Sequence, residues 1–252
     1  MSDIHAGAPR FSDIFPLRAA IRQYRTTRRQ DAFLGNVFWM VLSLDLVLVL
    51  AHVVHELVIV AGVPLELESL RLNQHSSFAS VWNYSQLMLI CAVLANLWLK
   101  TRRRAFALML MLFLMLLVDD YFEAHDRVGF LVGNALPQGW MQALTPQARG
   151  EVIVYPVMIA LAAPLLWLAQ TRAPVEERTF FSALIAGTVV LGIFGIGVDV
   201  LHALLNAALG NAADVLRRTM DRAMTVLEDG GETVAFSLCL WLCLARLKAM
   251  AP

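Results

Sequence analysis

A bundle of membrane-spanning α-helices is the fold class that this sequence predicts. Two features carry the prediction: 59% of the 252 residues are hydrophobic against 16% charged, where a soluble domain has about half and a quarter, and the apolar residues fall into six blocks. Each block is roughly 19 to 28 residues long, close to the 20 or so helical residues that cross a hydrocarbon core. A third feature, the sorting of charges between the two sides of those blocks, sets an orientation. The six spans are expected at about 33–60, 81–99, 105–124, 151–170, 180–206 and 223–245, all in one transmembrane domain over residues 33–246.

Ahead of the first span, residues 1–32 form a basic arm. Its stretch from Arg10 to Arg29 sets Phe11, Ile14, Phe15, Ile21 and Tyr24 among six arginines, as an amphipathic segment lying on an anionic leaflet or docking on a partner protein would. The first apolar run starts only near Phe33 with no small-residue cleavage site after it, so it reads as an anchor rather than a removable signal. Residues 247–252 are expected to be a short tail.

Of the 20 lysines and arginines, 14 fall on the side of the termini, including Lys100, Arg102, Arg103 and Arg104 in one turn; the other side has Arg71, Arg127, Arg149, Arg217, Arg218 and Arg222. By the positive-inside rule both termini are cytoplasmic, and a bacterial inner membrane is the expected location. The acids run the opposite way, with 15 of 20 near mid-membrane or beyond it. The zero net charge conceals this sorting and gives no reason to expect a nucleic-acid partner.

The connections are short on the inner side. Residues 63–80 and 125–150, punctuated by Pro64, Gly129, Gly133, Pro137 and Gly139, are read as long outer loops. Within them Glu66, Glu68, Arg71 and His75 read as a solvated group, and His5 as part of a free terminus. Trp82, Tyr84, Tyr121, Trp140 and Tyr155 fit an interfacial belt. Cys91, Cys239 and Cys243 lie inside spans without a metal or disulfide spacing and are taken as small buried hydrophobes.

An ionised side chain at the centre of a membrane helix costs about 2.5–3.5 kcal/mol on insertion scales, so each one needs a partner, a cavity or a role. At 100° per residue, Asp45, His52 and Glu56 make one stripe on the first span. Asp119, Glu123 and Asp126 share a face on the third, bordered by Asp120, with His125 pointing elsewhere unless the helix has already ended. Gly192, Gly195, Asp199, His202 and Asn206 line the fifth. Asp221, Glu228 and Glu232 stack on the sixth beside Asp229, where Gly230 and Gly231 are expected to loosen the first turns. Apart from Asp45, the charged members all fall at one depth, toward the outer end.

Carboxylates with imidazoles suit divalent metals, and an acid and a His three residues apart on one helix are how bundles present ligands to one ion. His52, Glu56, Asp199, His202 and Glu228 are the candidate ligands for Zn²⁺, Mn²⁺ or Fe²⁺. Asp119, Asp120 or Glu232 would act as general base on a metal-activated water. At that depth the substrate would be a lipid or a membrane-anchored ester or amide. Two other readings compete: a non-catalytic subunit of a larger membrane complex, and a cation or proton transporter. The second requires polar residues continuing inward, and there the sequence offers little beyond Ser43, Asp45, Asn96 and Thr188.

DDYFEAHD at 119–126 and LEDGGE at 227–232 resemble the DDxFxxH-type and LEDG motifs of a group of uncharacterised bacterial multi-pass membrane proteins. That resemblance implies no activity. The acid and His set is also similar in type to that of intramembrane zinc hydrolases of the ceramidase and adiponectin-receptor kind, but their HxxxH pair is missing, since His52 and His55 are three apart.

Overall fold

The computed structural model describes Arg25 and residues 31–63, 67–72, 74, 76–137, 139, 141–209 and 214–250. The basic arm, apart from Arg25 and its last residues, lies outside the described residues, as do Pro64, Glu66, His75 and Trp140. Six helices are long and apolar enough to cross a membrane, and among the described residues there is no strand. The helices are α1 (Ala32–Val60), α2 (Phe78–Thr101), α3 (Arg104–Phe122), α4 (Ala124–Ala135), α5 (Pro146–Arg172), α6 (Arg178–Gly192), α7 (Asp199–Ala208) and α8 (Asp214–Ala249). Between α6 and α7, Ile193–Val198 winds as π-helix, so that these three pieces make one continuous span.

Local chemistry sets the helix ends. Asp31 accepts the Leu34 N–H at the start of α1 and Ser77 the Ser80 N–H at the start of α2. Thr145 accepts the Ala148 N–H at the start of α5, with Pro146 in the first turn. Such caps contribute about 1 kcal/mol each. Arg102, in the left-handed region at φ 55°, turns α2 into α3. At 36 residues, α8 is about 54 Å long and overruns a hydrocarbon core of about 30 Å.

Two sequence expectations are corrected. The long connection at 125–150 contains α4, which lies along the start of α5, and its glycines serve contact rather than looping. A Cβ on Gly150 would fall 1.7 Å from the Gly129 carbonyl oxygen, and one on Gly133 would fall 1.6 Å from that of Pro146. Gly230 and Gly231 sit in the unbroken α8. A Cβ at Gly231 would fall 2.2 Å from the Phe194 ring and one at Gly230 would meet Val49 at 3.2 Å, so both let neighbours approach.

The core is apolar and lies toward the arginine-rich end, where Leu94, Leu97, Phe106, Met109, Phe113, Phe181, Leu184, Cys239, Leu242 and Cys243 are fully buried. Lipid tails solvate Leu as well as protein does, so this block is held by close packing rather than by exclusion from water. Polar ties lock it: Trp241 donates to the Leu34 carbonyl across α8 and α1 at 3.0 Å, and the fully buried Glu177 receives Arg103 and Arg246, each at 2.5 Å.

Candidate functional site

The ionisable residues gather at the other end. There α3 breaks at Glu123, in the left-handed region at φ 48°, and α4 restarts at once. The break turns His125 back onto α3: Asp119 Oδ1 accepts its backbone N–H at 2.9 Å and Asp119 Oδ2 lies 2.9 Å from its Nδ1, while Asp126 Oδ1 is 3.3 Å from Nε2. Burial alone would pull the imidazole pKa down. The hydrogen bond and charge of Asp119, with the charges of Asp126 and Glu151, outweigh that and push it up to about 9. Glu123 leaves the stripe and faces Arg127 at 3.8 Å.

On α5, Glu151 and Tyr155 are buried. Gln147 donates to both Asp126 and Glu151, at 2.9 and 2.8 Å, and the Tyr155 hydroxyl donates to Asp199. Tyr155 also packs its ring against His125, centroids 5.8 Å apart. It therefore belongs to the site and not to an interfacial belt. Asp199 opens α7 directly after the π-helical turn. One turn on, His202 lies between two acids of α8, with Nε2 2.8 Å from Asp221 and Nδ1 3.5 Å from Glu228; Asn206 also donates to Asp221.

Asp199 interacts electrostatically with both imidazoles and with Glu151 and Glu228, and Glu232 with Asp120, Glu228 and Asp229. The acids of α3, α4, α5, α7 and α8 thus form one field, in which two imidazoles stand among Asp119, Asp120, Asp126, Glu151, Asp199, Asp221, Glu228, Asp229 and Glu232. Gly195, inside the π-helical segment, makes room for one of them, since a Cβ there would fall 2.0 Å from Glu232 Oε1.

His52 and Glu56 fall elsewhere. His52 Nδ1 accepts the Leu72 N–H at 3.2 Å and His55 Nε2 the Leu67 N–H at 3.1 Å. Glu56 takes Arg222 at 2.8 Å and has Arg71 at 4.0 Å. These two histidines thus hold the 67–72 segment by accepting its backbone N–H groups. The solvated-loop reading of Arg71 gives way to this anchored one. Asp45 also stands apart, bonded to Trp82 at 2.8 Å and Gln86 at 3.3 Å, which takes Trp82 out of the belt as well.

Of the five candidate ligands, then, Asp199, His202 and Glu228 lie together, while His52 and Glu56 are spent on another contact. Among the described residues no three His, Cys, Asp or Glu side chains are arranged to hold one metal ion. Of the candidate bases, Asp119 is committed to His125, and Asp120 and Glu232 lie in the field. Sequence reasoning sets Glu151 and Tyr155, at the start of the fourth span, at the depth of this site without giving them partners, and it misses His125. The positive-φ break at Glu123 that turns His125 back is a backbone feature, which side-chain periodicity does not register.

Six spanning helices with one acid–imidazole field at one end define an all-α, polytopic membrane protein. The chain belongs to the family described as Domain of unknown function (DUF8692), whose model matches residues 40–247. No curated protein and no solved structure matches it.

Proposed function

We propose that the acidic end faces outward from a bacterial inner membrane and takes up a divalent cation among Asp199, His202 and Glu228. There the protein hydrolyses a lipid or a membrane-anchored ester or amide. The observation that supports this most is the charge imbalance of two imidazoles among nine carboxyl groups, all but Asp221 at least partly withdrawn from solvent, where like charges repel and a bound cation offsets them. Side chains that now bond one another, Asp199 with Tyr155 and His202 with Asp221 and Glu228, would exchange those contacts for the ion. Asp120 and Glu232 are the acids placed to accept a proton from an attacking water.

A lipid substrate is supported by a groove of about 540 Å³ between the π-helical turn and α8, lined by Val190, Phe194, Val226, Leu227, Gly231 and Val234. Its wall residues Leu227 and Gly231 directly precede Glu228 and Glu232 along α8, so an acyl chain seated in it would lie beside the stretch of helix that carries these acids. Transport is disfavoured by the apolar block on the inner side, where Leu94, Leu97, Phe106, Phe113, Phe181 and Leu242 are fully buried.

The experiment is metal analysis of the purified protein, with unfolding followed as Zn²⁺ or Mn²⁺ is added. Binding at a hundredfold excess over Kd raises stability by about 2.7 kcal/mol; Glu228→Gln should weaken that gain. A metal-free protein whose melting ignores both ions and chelators refutes the proposal.

A further inference from the structure

At the midpoint of α1, Asp45 is fully buried, as is Gln86 of α2. Trp82 Nε1 and Gln86 Nε2 both donate to Asp45 Oδ1, at 2.8 and 3.3 Å; Gln86 Nε2 also donates to Ser237 Oγ of α8 at 2.7 Å, and the Ser237 hydroxyl faces the same carboxyl. The donors are all neutral. Titratable groups on the surrounding elements include His52, His55 and Glu56 on α1, Tyr84 and Cys91 on α2, Glu68 and Arg71 in the adjoining segment, and Asp229, Glu232 and Cys239 on α8. The side chains that act on Asp45 are instead Ser237, Trp82 and Gln86.

Counting hydrogens decides the state of this group. Trp82 offers one, Gln86 two and Ser237 one, and these four are already directed at Asp45 Oδ1, at Ser237 Oγ and at the carboxyl. Two buried acceptors then remain without a partner, Asp45 Oδ2 and Gln86 Oε1. A carboxylate there would keep its neutral donors on one side but have no countercharge and an unbonded Oδ2 at mid-membrane, a costly arrangement for a spanning helix. A fifth hydrogen, on Oδ2, removes the charge and turns that oxygen into a donor.

We propose that Asp45, Trp82, Gln86 and Ser237 form a proton-binding site in the middle of the membrane, occupied by one proton on Asp45 in the resting protein. The site is separate from the acidic end and holds whether or not a metal binds there. Loss of the proton would strand a carboxylate between α1, α2 and α8, so release requires water to enter or these helices to part, which ties occupancy to their packing.

The test is infrared spectroscopy of the full chain in lipid nanodiscs at pH 7. The wild type should show a protonated-carboxyl C=O band that shifts in D₂O, and Asp45→Asn, which keeps size and neutrality, should lose one carboxyl equivalent of it. Ser237→Ala, which withdraws a single donor, should keep the band area and move its frequency; this variant carries the test if Asp45→Asn does not fold. An unchanged band in both variants overturns the proposal. So does a melting temperature that rises with Na⁺ over a choline control in the wild type but not in Asp45→Asn, because a metal ion would then hold the site.

Discussion

His125 shows how one side chain can tie protonation to the fold. Its pKa rises from 6.5 to about 9, so the charged form is favoured by folding, and its stabilisation is complete below about pH 6.5 and lost as pH climbs through about 9. With 28% of the side chain exposed, the gain is on the order of 2 kcal/mol, less than the shift alone would give. The melting temperature of the wild type should therefore fall between pH 7 and pH 10 by several degrees more than that of His125→Gln; parallel curves would refute this. Glu177 makes the opposite kind of contact, a fixed charge with two guanidinium partners. Glu177→Gln leaves Arg103 and Arg246 without their acceptor. Since both arginines keep some exposure, the loss should be on the order of 2–3 kcal/mol, below that of a fully buried pair, and visible as an earlier midpoint in denaturant titrations.

Among the elements, the α4–α5 hairpin depends on glycine at its crossing. Gly150→Ala sets a methyl group 1.7 Å from a backbone oxygen, which no rotamer relieves, so α4 must move away from α5. A cost of about 1–3 kcal/mol or more is expected. Because α4 carries His125 and Asp126, the extra pH dependence assigned to His125 should shrink in the same variant. Proteolysis within residues 124–145 should also quicken, and a Gly150→Ala protein as protease-resistant as the wild type would refute this. Composition and block length are enough to read the six spans, because about 20 apolar residues have few other uses. The close crossing was not legible, since Gly129 and Gly133 look the same in a loop as at a contact. The acid stripe of α8 could be found from 100° spacing, whereas the one expected on α3 is broken at Glu123. That spacing failed for His125, where φ changes sign two residues earlier, and for His52, whose partner is the backbone of a segment with no periodic signal.

Across the whole molecule, one end is dry and interlocked and the other is polar and hydrogen-bonded through side chains. Orientation is the property on which the functional reading depends most. A cysteine placed at Arg127, 67% exposed at the acidic end, should react with an impermeant maleimide in intact cells. One at Lys248, 64% exposed at the opposite end, should react only after the membrane is opened. The native cysteines are buried and give a low background. The reverse pattern would place the acids in the cytoplasm and remove the outward site.

The π-helical turn at Ile193–Val198 holds one residue more than an α-helical path would need. Deleting a single residue there, Ile196 for instance, would let the span close up as plain α-helix. Everything after it would swing by roughly 100° relative to α6, carrying Asp199 off Tyr155 and His202 off Asp221 and Glu228 together, with no change in their identities. A protein shortened in this way should still insert and still pack its apolar half. The meeting of α7 with α5 and α8 thus rests on a chain-length count rather than on any one side chain, and a library of single deletions along residues 190–199 would locate it as a narrow window of lost cation response.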